Sequence, residues 1–179
     1  MNDKPNLFKN ILPYGVLTAV VLMLYSAILF NLKIMSGPMT WVSYLITVGG
    51  LAYGLIKYRD GVLKGYISYG QALKTATIMM LIIAGLMAVF MFLYSSFDST
   101  MIQQILDKAE QDMRNKGTMT DEQIEMGLKM TKTFTSPPLM GVFTFIFYMF
   151  FGFLMSLIIS LIVKKDNPNP FSEIENSTI

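Results

Sequence analysis

Four long apolar segments, none of which contains Asp, Glu, Lys or Arg, constrain the fold of this chain more than any other feature. A helix that rises about 1.5 Å per residue needs roughly 20 apolar residues to cross the hydrocarbon core of a bilayer. The segments that meet or approach this length are residues 11–32, 39–56, 75–97 and 138–163. The sequence therefore predicts an all-α fold, an integral membrane bundle of four transmembrane helices.

The composition agrees with this class and removes several kinds of chemistry. Hydrophobic residues make up 53% of the chain and charged residues 15%, and the mean hydropathy is +0.50, unlike a soluble domain. The chain has no Cys and no His, so disulfides, thiol nucleophiles, the usual zinc ligand sets and imidazole catalysis are unavailable. We expect no cofactor. The net charge of +2 gives no basis for a nucleic-acid partner.

Most of the chain is needed for a single membrane domain. Residues 1–165 contain the four segments and their connections, and we expect them to form one four-span domain. Residues 166–179 are polar and rich in Pro and Asn. A segment of that composition cannot bury enough apolar surface to fold, so it is predicted to be a disordered polar tail.

The basic residues beside the apolar segments predict an orientation. With four spans, both termini and the connection between the second and third spans lie on one side of the membrane. On that side, Lys57 and Arg59 follow the second segment, and Lys164 and Lys165 follow the fourth. Basic residues close to the spans favour the cytoplasmic side, so we expect both termini in the cytoplasm and the 98–137 connection outside.

The 98–137 connection is predicted to be an extramembrane αα-hairpin. Its first half has apolar residues at helical spacing and ends in Gly117, and Thr120 with Gln123 has the spacing of a capping box that begins a second helix. The first apolar stripe comprises Met101, Ile102, Ile105, Leu106, Ala109 and Met113. Because such a stripe must be covered, the two helices pack on each other, lie on the bilayer surface, or dock another protein.

Small residues recur four apart within the apolar segments. In lipid, small side chains let helix backbones approach closely where no water-driven force holds helices together. The recurring positions are Gly15 and Ala19, Gly50 and Gly54, Ala84 and Ala88, and Gly152, Ser156 and Ser160. We interpret them as helix-packing positions rather than as a ligand site.

The polar stretch at 57–74, between the second and third segments, contains a predicted helix start. Ser68 as N-cap with Gln71 three residues later forms a capping box, so the third helix should begin near Tyr69. The residues expected to make the turn are Gly61, Gly65 and Gly70. The aromatic residues expected at headgroup depth are Tyr58, Tyr66 and Tyr69.

The same stretch holds the candidate contact site of the chain. Basic side chains beside a membrane can hold lipid phosphate or the acidic segment of an unidentified protein partner, with a tyrosine at the same depth. The candidate residues are Lys57, Arg59, Lys64, Tyr66 and Lys74. The alternative is that these basic residues serve only as ordinary topology signals.

The order of these elements resembles a known family. "KYRD" at the end of the second segment, "GYISYGQALK" before the third, "DEQIE" in the acidic hairpin and "TFTSPP" before the fourth are similar to the DUF4199 family of small bacterial membrane proteins. The likeness runs over roughly residues 8–165. It implies a four-span protein of the bacterial inner membrane, and it supplies no catalytic residues because the family has no known function.

Three functions are compatible with this sequence. The first is a non-enzymatic membrane protein that binds lipid or a partner protein through the 57–74 loop, the 98–137 hairpin, or both. The second is a small transporter or channel component, although its spans lack the charged residues that coupling normally uses. The third is an enzyme at the cytoplasmic face with Asp60 as base and Arg59, Lys64 and Lys74 holding a phosphate.

Overall fold

The computed structural model describes residues 6–34 and 37–168, and six α-helices lie within them. The first three are α1 (Leu7–Asn31), α2 (Pro38–Gly61) and α3 (Tyr69–Phe97). The others are α4 (Ser99–Asn115), α5 (Asp121–Phe134) and α6 (Pro137–Val163). Most of the predicted disordered tail, residues 169–179, lies outside the described residues.

Four of these helices, α1, α2, α3 and α6, are each long and apolar enough to cross a bilayer. The chain is therefore a multi-pass membrane protein with an all-α fold, as the apolar segments predicted. Two helices extend beyond their apolar segments at the same end of the bundle. α2 continues to Gly61 and α3 begins at Tyr69, so the polar turns that flank these two spans are also helical.

Helix α3 lies at the centre of the bundle. It packs along most of α6 and against α1, α1 packs against α2, and the contact between α2 and α6 is slight. The largest fully buried apolar side chains are Ile11, Leu22, Leu51, Leu55, Ile67, Met79, Met80 and Ile83. Tyr58 is only 6% exposed and belongs to this core, so its side chain packs inside the bundle rather than on its surface.

The small residues in the spans are packing positions, as predicted. A Cβ atom on Gly152 would overlap the side chain of Met80, and one on Gly141 would lie 3.2 Å from the backbone oxygen of Ala88. Both contacts join α6 to α3. Ser156 and Ser160 are fully buried on the same helix, which is how α6 approaches α3 closely along its length.

The hairpin of α4 and α5 forms outside the spans. Thr120 and Gln123 make the predicted capping box, and Gly117 has a φ of +65° just after α4, the conformation that favours glycine after a helix end. A Cβ atom on Gly127 would lie 2.7 Å from Sδ of Met113, so the two helices cross closely there. Of the three alternatives for the apolar stripe, contact between the two hairpin helices is present in the structure.

Ion pairs reinforce the hairpin. Arg114 donates to Glu110 on its own helix at 2.8 Å and to Asp121 across the turn at 3.1 Å. On α5, the hydrogen bond from Lys129 lowers the pKa of the Glu125 carboxyl. These pairs are largely exposed and contribute little each.

Self-packing covers only part of the apolar surface of the hairpin. Met101 and Ile124 are buried at 4% exposure each, whereas the rest of the α4 stripe is half-buried. On the other side of α5, Met126, Met130 and Phe134 are 66%, 57% and 50% exposed. The ring of Phe134 lies 5.9 Å from that of Phe143 on α6, so this exposed row continues onto the surface of a span.

Candidate functional site

The predicted candidate residues lie at one end of the bundle, which we call the basic end. It comprises the last turn of α2, the loop of residues 62–68, the first turns of α3 and the end of α6. Lys57 and Arg59 lie on the last turns of α2, Lys64 and Tyr66 lie in the loop, and Lys74 lies on α3. The fold brings the loop against the end of α6, a segment about a hundred residues later in the sequence.

Arg59 connects α2 to α6. Its Nε and Nη2 atoms donate to the two carboxylate oxygens of Asp60 at 2.7 and 3.2 Å, and its Nη1 atom donates to the backbone oxygen of Val163 at 3.1 Å. Val163 is the last residue of α6, whose final carbonyls have no partner within the helix. The side chain of Arg59 is 19% exposed, and its hydrogen bonds hold the ends of α2 and α6 together.

The charges around Asp60 show which basic groups lie near it. Asp60 is four residues beyond Ile56, the last residue of the second apolar segment. The hydrogen bond from Arg59 lowers the pKa of its carboxyl, with smaller contributions from the charges of Lys165 and Lys57, against a desolvation effect that raises it. Asp60 is therefore a carboxylate at neutral pH, and it is paired rather than available as a base.

The loop has a fixed backbone. Lys64 has a φ of +55° and Gly65 a φ of +92°, and the N–H of Gly65 donates to the oxygen of Arg59 at 2.9 Å. The left-handed conformation suits Gly65 and is uncommon for a lysine. Of the three glycines predicted to make the turn, only Gly65 does so, since Gly61 and Gly70 are helical.

An isolated antiparallel bridge ties this loop to the chain after α6. The N–H of Ile67 donates to the oxygen of Lys165, and the N–H of Lys165 donates to the oxygen of Ile67, both at 2.9 Å. Ile67 is 1% exposed, so its side chain anchors the bridge in the core. The loop is held by backbone hydrogen bonds and by burial together.

Two lysines of the basic end lie over tyrosine rings. The Nζ atom of Lys165 is 5.6 Å from the ring centroid of Tyr66, and that of Lys57 is 5.6 Å from the ring centroid of Tyr53. These are cation–π distances. Tyr66 is 36% exposed and Lys57, Lys64 and Lys165 are exposed, so the ammonium groups face the surroundings at the boundary of the spans.

The remaining predicted residues have separate positions. Ser68 and Gln71 form the capping box of α3, with the N–H of Gln71 donating to Ser68 Oγ at 3.4 Å and the N–H of Ser68 donating to Gln71 Oε1 at 3.2 Å. Lys74 is exposed one turn further along α3, and no contact joins it to the other basic residues within the described part of the chain. The capping pair serves helix initiation.

Sequence reasoning missed the participation of Lys165 and of the Val163 carbonyl. The available signal is the position of Lys164 and Lys165 directly after a span, on the same side as Lys57. Among residues 6–34 and 37–168, no three His, Cys, Asp or Glu side chains come together in a way that could hold a metal ion. Lys164 pairs with Asp166 at 3.2 Å, which is the second carboxylate that residues 6–34 and 37–168 place near this end.

Comparison with known proteins gives one match. A family model described as "Protein of unknown function (DUF4199)" matches residues 13–165, which is most of the chain. No curated protein and no solved structure matches.

Proposed function

The chain belongs to the DUF4199 family, whose function is unknown, and from the geometry of its basic end we propose that it is a non-enzymatic membrane protein that binds the phosphate of an anionic lipid headgroup. The observation that carries this proposal is the loop of residues 62–68 fixed against α6. Lys57, Lys64 and Lys165 lie together with this contact at one end of the spans, and the ends of spans are the depth at which we expect headgroup phosphates.

The charge balance of the basic end supports an anionic ligand. The two carboxylates that the described residues place near this end are paired, Asp60 with Arg59 and Asp166 with Lys164. The ammonium groups of Lys57 and Lys165 lie over tyrosine rings, and each has three donors to offer a phosphate. The paired state of Asp60 gives less support to an enzyme that uses it as base.

We expect retention of anionic lipid to depend on these lysines. The test variant combines Lys57→Gln, Lys64→Asn and Lys165→Gln, with Asn at position 64 because Asn tolerates a positive φ. Each lysine near a charged lipid surface contributes about 1 kcal/mol, so the ratio of bound phosphatidylglycerol to phosphatidylcholine should fall by at least about tenfold. The ratio is measured by native mass spectrometry after solubilisation from an equimolar mixture of the two lipids.

A matched control separates this site from general charge. Lys116→Gln with Lys132→Gln removes two exposed lysines from the hairpin and should leave the lipid ratio unchanged. Added inorganic phosphate that displaces the lipid would identify a site for free phosphate instead. Equal lipid ratios for wild type and the triple variant would contradict the proposal.

We also propose that the basic end faces the cytoplasm of a bacterial inner membrane and that the hairpin lies outside. The support is the cluster of basic residues directly beside the spans at one end. Since the native chain has no Cys, single cysteines at Lys64 and Asn115 can be labelled in intact cells with an impermeant thiol reagent. Labelling at position 115 alone is expected, and labelling at position 64 alone would reverse the orientation.

A further inference from the structure

The cleft between α2 and α6 holds hydroxyl groups that packing does not explain. It has a volume of about 180 Å³, and it lies where these two helices make only slight contact. Five of its lining side chains carry a hydroxyl: Thr40, Ser43, Tyr44, Thr47 and Tyr148. The α2 members lie within the second apolar segment and Tyr148 lies within the fourth, where a bilayer provides few polar partners.

Two of these hydroxyls have a hydrogen-bond partner among the described residues. Thr40 donates to the oxygen of Gly37 at 2.7 Å and Thr47 donates to the oxygen of Ser43 at 2.8 Å. Within the described part of the chain, the hydroxyls of Ser43, Tyr44 and Tyr148 make no hydrogen bond. An unpaired hydroxyl in an apolar medium is costly, so a polar molecule that fills the cleft would stabilise this arrangement.

The cleft shares lining residues with an apolar groove. That groove, of about 500 Å³, runs along α6 and is lined by Phe143, Ile146, Phe147 and Phe150 among others. Phe147 and Tyr148 line both cavities, and Phe147, Phe150 and Ile146 are 44%, 62% and 55% exposed. A molecule with a polar end in the cleft can therefore place a hydrocarbon chain along the surface of the same helix.

We propose that this pair of cavities is a binding site for a lipid whose polar end is uncharged and bears a free hydroxyl, with ester carbonyls beside it. Among the residues that the structure describes, no charged side chain lines either cavity, which disfavours a phosphate group there. Hydroxyls both donate and accept, so the five lining groups match a ligand hydroxyl and ester oxygens. The site lies away from the basic end and does not depend on the function proposed for it.

A cysteine reporter at Ser43 tests the site. Ser43→Cys changes one atom in a chain without Cys, and Leu45→Cys, two residues along α2 and 69% exposed on the lipid side, is its matched control. N-ethylmaleimide crosses lipid but reacts with the thiolate, which requires water. In phosphatidylcholine vesicles, labelling at position 43 should be at least about tenfold faster than at position 45.

The lipid itself is the second arm of the experiment. Dioleoylglycerol added to the vesicles should slow labelling at position 43 by at least about threefold, as expected for occupancy of most sites, and leave position 45 unchanged. Tyr148→Phe in the Ser43→Cys background should reduce this protection. Labelling at position 43 that is as slow as at position 45, or that is unaffected by dioleoylglycerol, overturns the proposal, as does equal protection by phosphatidylglycerol.

Discussion

The loop of residues 62–68 is held by the segment that follows α6, far away in the sequence. The hairpin of α4 and α5, in contrast, is held mostly by contacts between its own two helices. Ile67 is buried in the core and bridged to Lys165. In the hairpin, the close crossing joins Met113 to Gly127, and only Met101 and Ile124 are buried. The short loop of residues 62–68 is therefore held by tertiary contacts with the bundle. The longer hairpin is held by the caps of its own helices and by the contacts between them.

This difference predicts which substitutions affect the whole molecule. A change in the loop should destabilise the junction of α2, α3 and α6 together, because all three meet there. A change in the hairpin should remain within α4 and α5, since few contacts join them to the spans. The three tests below are ordered by the size of the effect that we expect.

Ile67→Asp should have the largest effect. It would place an unpaired carboxylate in the core, where Ile67 is 1% exposed, at a cost of several kcal/mol. The melting temperature of the detergent-solubilised protein, followed by circular dichroism, should fall steeply. Met126→Asp, at a site 66% exposed, is the control, and equal shifts for the two variants would remove the distinction between the two regions.

Ile124→Ala should have an intermediate and local effect. Ile124 is 4% exposed on α5, so we expect a loss of about 2 kcal/mol. Amide hydrogen exchange should show faster exchange in α4 and α5 and unchanged exchange in α3. Met130→Ala, at a site 57% exposed, should change neither region; faster exchange throughout α3 in the Ile124 variant would show that the hairpin is not an independent unit.

The two capping boxes offer the smallest and most closely matched test. Ser68 begins α3 and Thr120 begins α5, and in each the N–H of the glutamine three residues later donates to the cap oxygen at 3.4 Å. Ser68→Ala and Thr120→Ala should each cost about 1 kcal/mol, and Ser68→Asp should be tolerated. The melting temperature should respond to Ser68→Ala but not to Thr120→Ala, whose effect should be seen only as faster exchange in α5.

Much of this architecture follows from local sequence. The spans follow from apolar length, and the starts of α3 and α5 follow from Ser68 with Gln71 and Thr120 with Gln123. These features depend on residues within a few positions of one another, which is why patterns reveal them. The hairpin turn at Gly117 is likewise predictable from local sequence.

The candidate site was only partly predictable because it depends on contacts between distant segments. Lys57, Lys64 and Tyr66 could be named from their position beside a span. The hydrogen bond from Arg59 to Val163 and the bridge from Ile67 to Lys165 could not, since no local pattern specifies which helix end lies beside the loop. The positive φ of Lys64 also depends on that tertiary contact, because lysine has no preference for it.

The bridge between Ile67 and Lys165 also constrains the order of assembly. Ile67 is synthesised long before its partner, and no hydrogen bond can join them until the last span has entered the membrane and placed its carboxyl end beside the loop. Contacts with such large sequence separation form late because the intervening chain must first be ordered. The basic end is therefore completed last, and a nascent chain released before Lys165 would leave it open.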